Sequence, residues 1–234
     1  MESHIVKLLK KEEVAEKTIA FKLEKPEGFE FAPGQYMQVF LSEDKNDSRT
    51  FSIASAPHED FLMFATRIRE GSDFKLRLTQ LNEGDEIRIE APGGKFLLPA
   101  DQTPVGLLVG GIGITTVRSM VKNEEHGRTE REITVFYSNK KPEEAAFLHE
   151  FETIALPNYR LVATMSDVKP DRKEWSGETG EINETMLKKY VKDLSLPVFY
   201  AVGPPGFVEG MISLLYSMNN VPSTHVRSED YAGY

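Results

Sequence analysis

The sequence predicts two domains, an antiparallel β-barrel followed by an α/β domain with a Rossmann-like parallel sheet. Residues 1–100 contain short apolar stretches separated by turn residues, at intervals of about ten positions that are typical of small antiparallel barrels. Residues 105–234 alternate apolar strands with helical segments, which is typical of βαβ units and a parallel sheet covered on both faces. The polar segment 100–104 is the predicted boundary between the two domains.

The first half of the chain divides into short strands and one helix. Gly71 and Ser72 precede apolar residues at helical spacing, so we predict that a helix begins there with Ser72 as its N-cap. The strands are predicted as a pair within residues 1–24, joined by the charged turn 10–13, and then at 35–41, 49–56, 61–68 and 86–90.

The second half of the chain contains four strand–helix units. In a parallel sheet of this kind, ligands collect at the carboxyl ends of the strands. The long loop 167–180 is a further candidate, because long loops are often functional. The strands are predicted at 105–110, 133–138, 159–166 and 198–202, with helices near 116–124, 143–155, 184–192 and 207–219 and a last strand at 225–229.

Composition excludes several classes of function. The 234 residues carry a net charge of −9, which argues against nucleic acid or an anionic membrane as the main partner. The chain has no cysteine, and this excludes disulfides, thiol nucleophiles, thiolate zinc and cysteine-ligated iron–sulfur clusters. The scattered histidines show no metal-ligand spacing, so no metal site is expected. With no apolar run that could span a membrane and no signal peptide, we expect a cytoplasmic protein.

The segment 105–120 carries the clearest ligand-binding pattern. An apolar run leads into Gly110, Gly111 and Gly113, and a segment with helical spacing follows. This arrangement suits a diphosphate, because glycines allow close approach of the backbone and a helix N-terminus offers N–H groups and a positive dipole end. The third glycine of the dinucleotide fingerprint is replaced by threonine, and no P-loop is present. The alternative is a tight turn whose glycines only permit packing.

Residues 49–52, Arg-Thr-Phe-Ser, form a second unusual stretch. They place a cation, an aromatic ring and a hydroxyl close together on one predicted strand. Alternation puts Arg49 and Phe51 on one face and Ser52 on the other. On residue type alone, Phe51 is a core residue and Arg49 a charge at the rim. The segment 203–205, Gly-Pro-Pro, likewise has two possible interpretations, a rigid turn only or a turn that contacts a ligand.

The whole chain resembles the ferredoxin–NADP⁺ reductase superfamily, in which a flavin-binding antiparallel barrel precedes a nucleotide-binding α/β domain. The resemblance implies an NAD(P)H-dependent oxidoreductase with FAD as cofactor, which takes a hydride at flavin N5 and passes electrons to an acceptor such as ferredoxin or flavodoxin. The matching segments occur in order along the chain at 33–36, 49–52, 71–72, 84–85, 92–96, 110–115, 203–205 and 233–234.

The resemblance implies roles toward FAD for five residues of the first half. Arg49 and Ser72 would bind the diphosphate, which suits a planar guanidinium and a helix N-terminus. Phe51 would stack on the isoalloxazine, where the family usually has tyrosine. Ser52 would hydrogen-bond near N5. Thr66 lies on the strand that lines the flavin in this family.

Further FAD roles come from the same resemblance. Thr50 lies within the Arg-Thr-Phe-Ser motif and is counted with the flavin-binding residues. Glu229 would be the acidic residue that the family brings near the flavin, alongside Phe51 and Ser52 as catalytic residues. A surface carboxylate is the alternative for Glu229. Tyr234 resembles the C-terminal tyrosine that covers the flavin in some members.

The resemblance also implies a nicotinamide nucleotide site in the second half. NADP is favoured mildly over NAD, because residues 138–141 contain no acidic group to bind a ribose 2′-hydroxyl, while Ser138 and Lys140 could meet a 2′-phosphate. Solvated lysines are the alternative. The family often has proline at position 116 and cysteine at position 202, where this chain has threonine and valine. The nucleotide-binding residues implied are Gly110, Gly111, Gly113, Thr115, Ser138, Lys140, Gly203 and Pro204.

Three other functions stay open from the sequence. A flavin reductase would use flavin as a released substrate rather than a bound cofactor. An electron-transfer subunit would work only within a larger complex, although the missing cysteine cluster argues against an iron–sulfur member. A non-enzymatic nucleotide-binding regulator would reduce nothing with NAD(P)H.

Overall fold

The computed structural model describes residues 3–168 and 175–231. Contacts divide the chain into two units. The first unit runs to Leu97 and includes Thr115–His126, and the second comprises Leu98–Ile114 and the chain from Gly127 onward. The first unit therefore includes a helical segment that follows residues 100–104 in the chain. The domain boundary at residues 100–104 stays a prediction.

The first unit is built on a six-stranded antiparallel sheet. Its strand order is β4-β3-β6-β1-β2-β5, and one helix, α1 (Asp73–Gln80), connects β5 to β6. The strands are β1 (Ser3–Ala15), β2 (Thr18–Glu24), β3 (Tyr36–Phe40), β4 (Ser48–Ser52), β5 (Phe61–Arg67) and β6 (Glu86–Gly93).

The predicted charged turn at residues 10–13 is wrong. β1 continues through these residues and pairs with β2, with Lys10 opposite Lys22 and Glu12 opposite Ala20. The chain reverses after Ala15, where Lys17 adopts a φ of 56°. Charged residues form a strand here because a strand with one face in solvent can project them outward.

Aromatic rings fill the core of this unit. Phe64 on β5 stacks on Phe21 with ring centres 4.9 Å apart and on Phe51 with ring centres 4.6 Å apart. Phe74 on α1 approaches Phe51 at 6.3 Å. These rings join β2, β4, β5 and α1, so the strand that carries the Arg-Thr-Phe-Ser motif is anchored from inside.

The second unit contains a six-stranded parallel sheet. Its order is β10-β9-β8-β7-β11-β12, and every residue of β7 and β11 is buried, as expected for central strands covered on both faces. The strands are β7 (Val105–Gly110), β8 (Ile133–Asn139), β9 (Tyr159–Met165), β10 (Glu178–Thr179), β11 (Val198–Gly203) and β12 (Val226–Asp230). After β7 comes α2 (Ile114–Gly127), most of which belongs to the first unit. The helices of the second unit are α3 (Leu148–Glu152), α4 (Glu184–Tyr190) and α5 (Pro205–Ser217).

The predicted fold class is confirmed, although one helix is much shorter than expected. In place of a helix over 143–155, a 3₁₀ turn at Pro142–Glu144 precedes the short α3. Phe147 has a φ of 58°, a left-handed conformation that cannot continue a helix. None of the helices within the described ranges has the length and apolar character needed to cross a membrane.

Candidate functional site

Positive charges gather around the first turn of α1. Lys75 is only 6% exposed, and its Nζ donates to the main-chain oxygen of Arg67 at 3.2 Å. The Arg49 guanidinium lies over the Phe74 ring, 5.2 Å from the ring centre. Burial, together with the positive charges of Arg69 and Arg49, lowers the pKa of Lys75 from 10.5 to about 8. An anion bound here would stabilise the charged form of Lys75.

The N-terminus of α1 is open to such an anion. Ser72 is the N-cap residue, as predicted, with extended backbone angles. Its side chain accepts no capping hydrogen bond within the described part of the chain. Gly71 precedes it with a φ of 88° and open space around its α-carbon. Uncapped N–H groups and the positive end of the helix dipole add to the attraction for phosphate oxygens.

Thr66 on β5 carries a buried hydroxyl that lacks a partner. The side chain is fully buried, and no described residue hydrogen-bonds its Oγ1. Leaving a buried hydroxyl unsatisfied costs about 1–3 kcal/mol. A bound polar group would remove that cost, which fits a cofactor-lining role for this strand.

Phe51 packs inside the first unit. Its ring is 2% exposed and packs near the rings of Phe64 and Phe74. On the sheet it stands opposite Met37, which is also buried. The stacking role on a flavin stays a prediction, and in this structure the ring is buried against other aromatic rings. Arg49 and Thr50, two positions and one position before Phe51, are exposed.

Ser52 is the last residue of β4, at the point where the chain changes strand partners. The next amide, of Ile53, still donates to the Gln35 oxygen at 2.9 Å, but the Ala54 amide donates to the Met63 oxygen of β5 at 2.6 Å. The alternation of side chains between the two faces of β4 therefore ends after Ser52. The extended segment predicted to residue 56 therefore stops as a strand at Ser52, which leaves its hydroxyl at the strand end.

A buried polar seam joins the segment 52–59 to α2. Thr116 Oγ1 donates to Ser52 Oγ at 2.9 Å, and Ser119 Oγ donates to the main-chain oxygen of Ser55 at 2.7 Å. We call these two contacts the hydroxyl seam. Sequence reasoning missed it, although two hydroxyl residues three positions apart within an otherwise apolar helix face were a signal.

An ion pair next to the hydroxyl seam is a second contact between α2 and the segment 52–59. Arg118 bonds both carboxylate oxygens of Glu59, at 2.8 and 3.0 Å, and donates to the Ala54 oxygen at 2.8 Å. Burial alone would raise the pKa of Glu59, but the hydrogen bond and charge of Arg118 outweigh it, and the pKa lies below its ordinary value. The Arg118–Glu59 ion pair is thus a contact between α2 and the segment 52–59 that is separate from the hydroxyl seam.

In the second unit, two glycine turns meet at a topological switch point. β7 lies between β8 and β11, and crevices form where connections from adjacent strands run in opposite directions. A Cβ on Gly113 would stand 2.6 Å from the Val202 oxygen, and one on Gly203 would stand 2.7 Å from the Gly110 oxygen. These glycines are therefore required for packing. Gly111 differs, with a φ of 51° and open space around it.

The ends of β8 and β9 supply further polar groups. Ser138 is half-buried and Lys140 exposed. The Asp167 amide donates to the Lys140 main-chain oxygen at 3.0 Å, so an acidic residue follows β9 close to this strand end. Sequence reasoning missed that neighbour, because strand pairing rather than local pattern brings it there.

The remaining predicted positions occupy helix starts and the end of the sheet. Thr115 is buried in the first turn of α2, and Pro204 is the N-cap of α5. Glu229 pairs with Val202 on β11, and burial raises its pKa. The Tyr231 hydroxyl donates to Glu229 Oε1 at 3.3 Å. Tyr234 lies outside the described residues.

Two family models match the chain, one over the antiparallel sheet and the other over most of the parallel sheet. The model described as oxidoreductase FAD-binding domain matches residues 5–98, and the one described as oxidoreductase NAD-binding domain matches residues 107–212. Together they cover most of the chain.

Relatives and solved structures agree with these models. The chain is 28% identical over 230 residues to a flavohemoprotein from Bacillus subtilis, covering 93% of this chain and 56% of that protein. It is 26% identical over 214 residues to a subunit of the Na⁺-translocating NADH-quinone reductase from Pseudoalteromonas atlantica, covering 85% of this chain and 52% of that protein. It thus spans little more than half the length of these relatives.

In fold, the chain matches a ferredoxin NADP⁺ reductase from Neisseria gonorrhoeae that was solved with FAD and NADP. The TM-score is 0.84 at 20% identity, over 98% of this chain and 99% of that one. The order of the domain models and this fold lead to one conclusion: the chain belongs to the ferredoxin–NADP⁺ reductase superfamily of FAD- and NAD(P)-binding oxidoreductases.

Proposed function

We propose that this protein uses NAD(P)H to reduce a tightly bound FAD and passes the electrons to a separate acceptor protein, ferredoxin or flavodoxin. The observation that carries the proposal is the group of positive charges around the open N-terminus of α1. In an acidic protein, Lys75 and Arg49 supply the charge that a diphosphate needs there.

The residues of the first unit divide by the part of FAD that they would hold. Arg49, Lys75 and the α1 N-terminus after Ser72 would bind the diphosphate, while Ser52 and Thr66 would bond the polar edge of the ring system. When bound, the flavin supplies a ring that accepts two electrons together and releases them one at a time. The protein binds and orients the partners and excludes water.

The second unit would hold the nicotinamide nucleotide at the carboxyl edge of its sheet. Gly111 offers open backbone for close approach of a diphosphate, next to the start of α2. The α5 N-terminus after Pro204 would flank the nicotinamide end. Glu229, whose pKa is raised by burial, would be a proton donor or acceptor on the same sheet edge.

A visible absorption spectrum of the purified protein tests the function directly. We expect flavin bands that bleach when NADPH or NADH is added without oxygen. Colourless protein that reduces added flavin would instead establish a flavin reductase. Colourless protein that reduces nothing, even after incubation with FAD, would overturn the proposal.

Relatives suggest a second kind of acceptor. One relative is named as a subunit of a quinone reductase, and another, from Chromohalobacter salexigens, as the reductase subunit of a glycine betaine monooxygenase. An oxygenase or a larger complex is therefore the alternative acceptor. Rates of electron transfer to purified ferredoxin, flavodoxin and candidate oxygenase components discriminate between them.

Replacing Lys75 with methionine is expected to weaken FAD binding about tenfold, the loss of one charge-assisted hydrogen bond. The measurement is titration of flavin-free protein with FAD, followed by the quenching of flavin fluorescence. Lys11→Met is the matched control, because Lys11 Nζ donates to the main-chain oxygen of Thr79 at the other end of α1. Equal affinities of the two variants would contradict the role of Lys75.

Lys75 should also make the stability of the flavin-free protein depend on pH. Its pKa is lowered from 10.5 to about 8 in the folded protein, so between these pH values the unfolded chain binds more protons than the native one. Stability of the flavin-free protein should therefore gain a contribution as pH rises from about 8 toward 10.5. Urea unfolding at pH 7.5 and 9.5 should show this gain reduced in Lys75→Met and kept in Lys11→Met.

Replacing Lys140 with alanine is expected to lower kcat/KM for NADPH about tenfold and to leave kcat/KM for NADH unchanged, because one cation facing a 2′-phosphate is lost. The adjacent exposed Lys141→Ala is the control. Steady-state rates with both nucleotides make the comparison. A wild-type preference for neither nucleotide would contradict the NADP assignment.

A further inference from the structure

Arg77 on α1 forms an ion pair with Asp47, the residue immediately before β4. Arg77 Nη1 donates to Asp47 Oδ2 at 2.8 Å, and Arg77 Nη2 donates to Asp47 Oδ1. A planar guanidinium that bonds both carboxylate oxygens has a well-defined geometry. The Asp47 side chain is 20% exposed and that of Arg77 40% exposed, so solvent and salt screen this pair in part.

Arg77 and Arg49 approach the same aromatic ring. The Arg77 guanidinium lies 5.8 Å from the centre of the Phe74 ring, and the Arg49 guanidinium lies 5.2 Å from it. Arg49 Nη1 donates to the main-chain oxygen of Ser48 at 2.7 Å, which is a neutral acceptor. Asp47 therefore bonds one of these two guanidinium groups and stands two positions before the other in the chain.

Both arginines act on the Asp47 carboxylate. Hydrogen bonds from Arg77 and Ser42 lower the pKa of Asp47 from 3.8 to about 2, although burial opposes them, and the charge of Arg49 acts in the same direction as the hydrogen bonds. Asp47 is thus ionised at neutral pH. Without Arg77, this carboxylate would attract Arg49 and compete with any anion that Arg49 binds.

The ion pair is not the contact that fixes either segment. The Asp47 amide donates to the Asp44 oxygen at 3.0 Å, and the Asp47 main-chain oxygen accepts from the Leu41 amide at 3.3 Å. Helix α1 packs into the core through the buried ring of Phe74. These contacts favour an electrostatic role for Arg77 over a purely structural one.

We propose that Arg77 is a positioning residue that neutralises Asp47 and so leaves Arg49 available to bind the FAD diphosphate. The inference rests on the proposed function, because it requires FAD and the diphosphate role of Arg49. It extends that function to an ion pair that acts on the diphosphate only through Arg49.

The two partners of the ion pair give different expected results. Arg77→Met leaves the Asp47 carboxylate to compete for Arg49, so it should weaken FAD binding about fivefold, the upper range for a partly exposed charge pair. Asp47→Asn removes the competing charge, so FAD should bind as tightly as to the wild type or more tightly. A pair that only anchored the loop before β4 would instead give the same loss in both variants.

The measurement is titration of flavin-free protein with FAD, followed by the quenching of flavin fluorescence, with urea unfolding of each variant. Arg77→Lys keeps the positive charge and should bind FAD nearly as well as the wild type. The double variant of Arg77→Met and Asp47→Asn should return to within about twofold of the wild type. The loss in Arg77→Met should shrink at high salt, as expected for an effect of charge.

Arg88→Met is the matched control. Arg88 also pairs with a carboxylate, that of Glu90 at 3.2 Å, and its guanidinium lies 3.6 Å from the centre of the Phe40 ring. It belongs to β6, so its replacement removes a similar pair in the same unit while Asp47 keeps Arg77. Its affinity for FAD should equal that of the wild type.

Three outcomes would overturn the inference alone. They are wild-type affinity in Arg77→Met, equal losses in Arg77→Met and Asp47→Asn, and a loss in Arg77→Met that persists in the double variant. Should methionine lower stability strongly, Arg77→Gln makes the same comparison. Wild-type affinity in Arg49→Met would remove the role of Arg49 and this inference together, whereas wild-type protein that binds no FAD would refute the proposed function.

Discussion

Ser52→Ala is expected to reduce the rate of flavin reduction by NAD(P)H about 100-fold, while FAD stays bound. The size follows from removing one preorganised donor at a reacting atom. Ser52 has a position set by the fold, because it ends β4 and its hydroxyl shares a buried hydrogen bond with Thr116. The proposed diphosphate contacts of Lys75 and Arg49 do not involve this hydroxyl, so affinity for FAD should change little.

Anaerobic stopped-flow absorption separates binding from reaction in this variant. Ser55→Ala is the control, since it also removes a buried hydroxyl, one that accepts from the Met63 amide at 2.9 Å. We expect Ser55→Ala to lose stability and to keep its reduction rate. A rate equal to wild type in Ser52→Ala would remove the assignment of Ser52 to N5.

Phe51→Ala is expected to lower the free energy of unfolding by about 3–5 kcal/mol, the usual cost of emptying a buried phenylalanine site. The ring is almost fully buried and packs on Phe64 with centres 4.6 Å apart. The cavity would lie where β4, β5 and α1 meet. Urea unfolding of the flavin-free protein measures the loss.

A second substitution separates the core role of Phe51 from the predicted stacking role. Phe51→Leu keeps an apolar side chain of similar size, so its cost should stay well below that of alanine. If the ring stacks on the flavin, Phe51→Leu will lose FAD despite near-normal stability. FAD occupancy equal to wild type in both variants would exclude stacking and leave Phe51 as a core residue.

Periodicity and turn residues were sufficient to predict most elements. The βαβ pattern after residue 105 predicted the parallel sheet, and β7, the glycine turn and α2 lie close to their expected positions. Local pattern failed at residues 10–13, where charges indicated a turn, and at 143–155, where Phe147 breaks the helix. In both cases the outcome depends on pairing or backbone conformation that residue type does not report.

In the candidate site as well, some features could be predicted from the sequence and others only from the structure. The residues of the Arg-Thr-Phe-Ser motif and the glycines at 110–113 are close in sequence, so the sequence alone could nominate them as candidates, and their roles stay predictions. The burial of Phe51, the burial and nearby charges that lower the pKa of Lys75 and the bond between Thr116 and Ser52 were not predictable from local pattern. Each depends on contacts between segments that are distant in the chain, and only folding brings those segments together.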